Sequence, residues 1–238
     1  MKSKTRIGVI GCTKSTENLI SSLIENIEID LVGLITLDSS VSKQKARFVE
    51  IDPKNFDKKF FVVPVLNLHD IALEEKLNSW DLDILIEIGW SHKIPKSILT
   101  APKFGTVGIH NSLLPAYQGG ASLNWALIKD FSSWGCTLFH LEEDIDAGEI
   151  IFQESFEITD DDDINSLFEK SDHLSTEMIL RFIPLACDDL APRIKQNPEQ
   201  ISKTLKRKPE DSIIKWSSDN RSIFNLIRAL KKPYPNAF

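Results

Sequence analysis

Five short apolar segments recur along the first half of the chain, each the length of a buried β-strand. They are Arg6–Ile7–Gly8–Val9–Ile10–Gly11 and residues 31–36, 60–65, 82–89 and 105–110. Helix-like stretches separate them. Leu19, Ile20, Leu23 and Ile24 recur at helical spacing, residues 71–80 read as a helix, and residues 94–99 read as a short one with Pro95 in its first turn. Parallel strands need a crossover between them, and a helix is the usual one. The alternation therefore predicts an α/β fold, a mostly parallel sheet with helices on both faces. Ligands of such sheets gather outside the carboxyl ends of the strands.

The second half reads differently. Residues 121–131 form a helix with Leu123, Leu127 and Phe131 in register. Residues 136–141 and 148–157 flank the Asp146 loop as a hairpin would. The acidic run Asp160–Asp161–Asp162–Asp163 sits where a long helix, residues 164–185, presents its positive end. Residues 190–212 are polar and carry three prolines, as an irregular wrap does. Residues 213–216 are a short strand or turn, 222–230 a helix and 232–238 extended. The expected division is a catalytic domain over residues 1–189 and a C-terminal extension, 190–238, packed upon it.

The chain has 238 residues, of which 42% are apolar and 26% charged, an ordinary globular balance. No apolar run is long enough for a bilayer, and the N-terminus enters the first strand without a signal-peptide core. Cys12, Cys136 and Cys187 are odd in number and far apart, which fits reduced thiols in a cytoplasm. No Cys/His grouping has metal-site spacing, so no metal is expected. The net charge of −7 argues against a nucleic-acid partner. Gly8–Val9–Ile10–Gly11 is not a dinucleotide fingerprint, because the third glycine is missing.

His110 leaves an apolar strand into the loop Asn111–Ser112–Leu113–Leu114–Pro115. A histidine there is placed for acid–base work, since its ordinary titration range spans neutrality. Asp146 follows on a second loop that ends in Gly148. Glu143, Asp144 and His140 compete with it on spacing alone.

The pattern His110–x–Ser112–Leu113–Leu114–Pro115–x–Tyr117–x–Gly119 is joined by Leu123–Asn124–Trp125–Ala126–Leu127. Gly135–x–Thr137 and Asp146–Ala147–Gly148–x–Ile150–Ile151–x–Gln153 follow. Together they resemble the folate-dependent formyltransferases. Residues 207–216, 225–230 and 233–238 are similar to segments of the sugar and methionyl-tRNA branches, the nucleotide-sugar N-formyltransferases above all. The resemblance implies a Rossmann-like formyltransferase fold, N10-formyltetrahydrofolate as co-substrate and a primary amine as acceptor. Of the family's catalytic Asn, His and Asp, the histidine falls on His110 and the aspartate on Asp146. Folate contacts fall on His92, Lys93, Ile94, Glu142, Glu143, Asp144 and Ile145. Acceptor contacts fall on Ser112, Tyr117, Tyr234 and Gln118, the last where an arginine is common. The implied acceptor is a nucleotide-linked amino sugar of surface polysaccharide synthesis, with methionyl-tRNA as the alternative and a homodimer as the expected assembly.

The family's asparagine falls on Gly108. An oxyanion donor is missing there, and losing one typically lowers a rate about a hundred- to a thousand-fold. Three readings stand open. Water or Asn111 fills the gap in a slower enzyme, the acceptor sugar supplies the hydrogen bond, or the chain binds its ligands without turnover. A glycine chosen for close packing fits all three. Strand alternation turns Asn111 away from the face shared by residues 108 and 110. On this reading Gly108→Asn speeds catalysis and His110→Ala abolishes it.

Overall fold

The computed structural model describes residues 3–42 and 47–238. The first half runs β1 (Thr5–Ile10), α1 (Lys14–Glu25), β2 (Ile29–Leu37), α2 (Ser39–Ser42), β3 (Phe61–Val65), α3 (Ile71–Ser79), β4 (Ile84–Glu87), α4 (Lys96–Leu99) and β5 (Thr106–His110). The second half runs β6 (Gln118–Gly119), α5 (Ser122–Ile128), β7 (Ser133–His140), β8 (Ile150–Glu157), α6 (Ile164–Cys187), β9 (Lys203–Thr204) and α7 (Asn220–Ala229). Seven strands make one sheet in the order β3-β2-β1-β4-β5-β7-β8. The first five are parallel, and the β7–β8 hairpin joins β5 antiparallel.

The parallel strands carry apolar runs without alternation because both of their faces are covered. Ile7, Val9 and Leu34 pack with Leu19 and Leu23 of α1 and with Met178 and Phe182 of α6. On the other face Ile10, Ile35 and Leu85 pack with Leu73 and Leu77 of α3 and with Ile98 and Leu99 of α4. Close approach is needed at Gly33, where a Cβ would stand 2.5 Å from the Trp80 ring. The acidic run works as expected through one residue. Asp163 caps α6, its carboxylate accepting from the N–H groups of Asn165 and Ser166.

The structure departs from the expectations in the loops. The helix expected over 121–131 ends at Ile128, and Asp130 turns the chain with φ 58°. Phe131 consequently packs edge-on to Tyr117 and beside Trp134. Pro95 stands just before α4 as its cap residue. Segment 190–212 is more than a wrap. Lys203–Thr204 pairs in parallel with Gln118–Gly119, and Ile194 bridges Ile150. Residues 213–215 are irregular and lead into a turn at 216–217, and 232–234 turn as well instead of extending. Ala229 and Leu230 bury against Leu123 and Leu127 of α5. No helix among the described residues is long and apolar enough to cross a membrane.

Candidate active site

The site is built where β4 and β5 end together. Their parallel register sets Glu87 beside Gly108, and residues 108 and 110 share a face because side chains alternate along a strand. His110 is buried at the end of β5. Its Nε2 lies 3.0 Å from the Tyr117 carbonyl oxygen. A carbonyl only accepts, so Nε2 carries a hydrogen. The Nδ1 atom then faces Asp146 Oδ1 at 3.5 Å. The other carboxylate oxygen of Asp146 accepts from the Gly119 N–H at 2.8 Å.

Both loops that converge on the imidazole carry left-handed backbone at non-glycine residues, Tyr117 with φ 59° and Asp146 with φ 58°. Such conformations cost about 1–3 kcal/mol each and persist when surroundings enforce them. The enforcing contacts are specific. Gln196 donates its amide to the carbonyls of Asp146 and Gly148, both at 2.8 Å. Gln118 donates to the Asp146 carbonyl at 3.1 Å. The other loop is tied by Thr137, which donates to the Ser112 carbonyl and accepts from the Leu114 N–H. Gln153 reaches both Thr137 Oγ1 and the Leu114 carbonyl. Thr137 and Gln153 belong to the sequence pattern noted above. Gln196 does not.

Glu87 was also missed. Its Oε1 accepts from the Trp90 N–H at 2.9 Å. Burial pushes the carboxyl up to about 8, against the Trp90 N–H and with added repulsion from Asp146. Its signal in the sequence was an acid near the carboxyl end of the apolar segment 82–89, whose other acid, Asp83, stands at the start. A Cβ at Gly108 would stand 2.8 Å from both Glu87 Oε2 and Leu141 Cδ2. Room for a side chain at 108 is therefore already filled.

The other expected residues divide. Asn111 does not fill the gap at Gly108, because its Oδ1 accepts from Ser171 of α6 at 2.7 Å. Ser112 is fully buried and donates to the Ala116 carbonyl, bracing its own loop. Gln118 is buried too, its amide turned to Asp146 and Gln196. The Tyr117 ring packs in the cluster with Trp134 and Phe131, and its backbone carbonyl is what meets His110. Tyr234 lies on the opposite face, stacked on Phe168, in a cavity of about 210 Å³ that Arg47, Trp90, Asn111 and Asp172 also line. There the Arg47 guanidinium covers the Phe168 ring and pairs with Asp172 at 3.6 Å, although burial pushes Asp172 up.

His92 and Lys93 are exposed beside Trp90, while Ile94 is buried with Leu141 and Trp90 around it. Glu142, Glu143 and Asp144 line a cavity of about 680 Å³ whose wall includes neither His110 nor Asp146. Ile145 stands 68% exposed at the mouth of the loop. His140 is separate from the site. Burial and the neighbouring Arg193 push it down to about 4, and Arg193 donates to its Nε2 at 3.3 Å. Among the described residues no three His, Cys, Asp or Glu side chains group as a metal site.

Comparison with known proteins agrees with this architecture. The family model described as "Formyl transferase" matches residues 5–183, and "Formyl transferase, C-terminal domain" matches residues 206–238. The methionyl-tRNA formyltransferase of Fusobacterium nucleatum is 31% identical over 172 residues, covering 72% of this chain and 55% of that one. The bifunctional polymyxin resistance protein ArnA of Wigglesworthia glossinidia brevipalpis is 31% identical over 208 residues, 87% of this chain and 32% of that one. The chain thus spans about half the length of the first curated relatives it matches. Among solved structures, the N-formyltransferase of Helicobacter canadensis, in complex with folinic acid and dTDP-3-aminofucose, superposes with a TM-score of 0.72 at 18% identity. That superposition covers 94% of this chain and 80% of the other. With the first model spanning the whole seven-stranded sheet, from β1 to Ile183 of α6, the chain belongs to the formyl transferase family.

Proposed function

We propose that this protein moves a formyl group from N10-formyltetrahydrofolate to the amino group of a nucleotide-linked amino sugar, in the cytoplasm. The observation that carries the transfer is the contact of His110 Nδ1 with Asp146 Oδ1 at 3.5 Å, at a strand end and shielded from bulk water. Trp90, Ile94 and Leu141 pack in one apolar cluster, Leu141 against Gly108, and the exposed stretch 142–145 gives backbone groups for a polar heterocycle edge. That combination fits a folate, apolar in its ring faces and polar at its rim. When bound, the folate supplies an activated formyl carbon.

The residues of the chain do the rest. The amine must lose a proton as it bonds to carbon. With Nε2 holding its hydrogen against Tyr117, the basic atom of a neutral His110 is Nδ1. Asp146 stabilises the imidazolium that forms, or shares the proton with it. The Gly119 N–H fixes the Asp146 carboxylate so that this exchange has one geometry.

An amino-sugar acceptor is supported by the sugar ligand of the Helicobacter structure and by the net charge of −7, which disfavours a polyanion. The methionyl-tRNA relatives support the second reading, a tRNA acceptor. The test is a formyl-transfer assay against dTDP- and UDP-linked amino sugars, with charged initiator tRNA in parallel. Turnover of a sugar supports the first reading and turnover of tRNA alone replaces it. Tight binding of folate and sugar without turnover means a binding protein.

A further inference from the structure

Gly108 and Glu87 are neighbours in the β4–β5 ladder, on the face that carries His110. In the family the sequence resembles, position 108 holds an asparagine whose amide meets the formyl oxygen. Here that position has no side chain, and Glu87 Oε2 lies 2.8 Å from where its Cβ would be. The carboxyl of β4 thus enters the space into which a side chain from β5 would project. Leu141 closes the same space at 2.8 Å from the other side. The two oxygens of Glu87 are not equivalent. Oε1 accepts from the Trp90 N–H at 2.9 Å, and Oε2 is the oxygen turned toward Gly108. The geometry points to a relocated oxyanion donor: we propose that the Glu87 Oε2 hydroxyl takes the place of the asparagine amide against the formyl oxygen, with Gly108 providing the room.

Three further observations agree. The group must be protonated to donate, and burial together with repulsion from Asp146 keeps it so up to about pH 8. The N–H on Oε1 leaves Oε2 as the oxygen that bears the hydrogen. Asp146 acts on Glu87 electrostatically, so both belong to one constellation with His110. A carboxylic acid held neutral in order to donate is a known device for stabilising an oxyanion. In the transfer, the amine nitrogen bonds to the formyl carbon and the carbonyl electron pair moves onto oxygen. The pair then returns as the bond to the folate nitrogen breaks. The amine proton travels through the His110–Asp146 pair to that departing nitrogen, and Glu87 keeps its own.

This inference rests on the formyl-transfer reading, and the two are tested apart. Glu87→Gln retains an N–H donor and is expected to stay within about tenfold of the wild-type kcat. Glu87→Ala is expected to lose about 10²–10³-fold. Adding Gly108→Asn to Glu87→Ala returns the donor to β5, and is expected to recover at least about tenfold. A second readout needs no turnover. A stable 10-formyl folate analogue labelled with ¹³C at the formyl carbon is bound to each protein, and its carbonyl stretch is followed by infrared difference spectroscopy. The stretch is expected at lower frequency in wild type and Glu87→Gln than in Glu87→Ala. The same frequency in wild type and Glu87→Ala, with the analogue bound to both, overturns Glu87 as donor. Failure of the wild type to bind the analogue overturns the formyl-transfer reading itself, and the donor with it.

Discussion

Gln196 donates its side-chain amide to the carbonyl of Asp146 at 2.8 Å, so a residue fifty positions away sets the height of the loop beside His110. The same amide reaches the Gly148 carbonyl at 2.8 Å and therefore grips both sides of the turn. Gln196→Ala removes both bonds. Its stability is expected to fall by about 1 kcal/mol, because each such bond has a net worth of about 0.5–1.5 kcal/mol and water replaces part of it. The kcat is expected to fall more steeply, about tenfold, with KM for the folate little changed, because misplacement near the chemistry slows it. Thermal melting beside steady-state kinetics checks this. A loss of stability with unchanged kcat would make Gln196 a purely structural brace.

In the proposed transfer His110 and Asp146 act as one unit, since each meets the proton through the other. His110→Ala and Asp146→Asn are each expected to lower kcat about 10²–10⁴-fold. The double variant is expected to be scarcely worse than the poorer single one, because removing either partner already removes the unit. Additive losses in single-turnover measurements would mean independent roles.

Gly108→Asn alone is expected to slow the enzyme, the reverse of what the sequence suggests. The new Cβ would meet Glu87 Oε2 and Leu141 Cδ2 at 2.8 Å each. Either the carboxyl is displaced or the asparagine takes a poor rotamer, and an off-rotamer side chain alone costs about 0.5–1.5 kcal/mol. The kcat of the single variant, compared with that of the pair Glu87→Ala/Gly108→Asn, measures the conflict. A faster single variant would show that the site accommodates both groups.

Glu87 also ties stability to pH. Its pKa is raised from 4.5 to about 8, with burial the main cause and Asp146 adding to it against the Trp90 N–H. Between those values the folded chain holds a proton that the unfolded chain has released, so stability falls as pH rises through this window. The slope from one such group is at most about 1.4 kcal/mol per pH unit. Glu87→Gln has no proton to lose and is expected to gain on the wild type steadily from pH 5 to 8. Melting curves of both proteins at half-unit steps test it, and parallel curves would place the group's ordinary titration below that range.

Much of the site was legible because strand ends and glycine turns announce themselves. His110 stood out by its place at a strand end, Asp146 was set apart from Glu143 and Asp144 only by the family resemblance, and alternation along β5 correctly turned Asn111 away from residue 108. Glu87 stayed hidden because its meaning lies in the register of two strands, which one strand's composition does not carry. Gln196 stayed hidden because nothing local links a polar tail to a loop fifty residues earlier. Ser112 and Gln118 turn inward for a physical reason. A buried loop must satisfy its own backbone, and these polar side chains turn inward to do so.

The short pairing of Lys203–Thr204 with Gln118–Gly119 has a consequence for the order of synthesis. Glu87, Gly108, His110 and Asp146 all leave the ribosome before the residues that hold Asp146's loop and its Gly119 partner in place. A growing chain can close its sheet as soon as α6 is made, but its reactive carboxylate gains a fixed seat only when segment 196–204 returns across it. Segment 196–204 is a late latch on that loop.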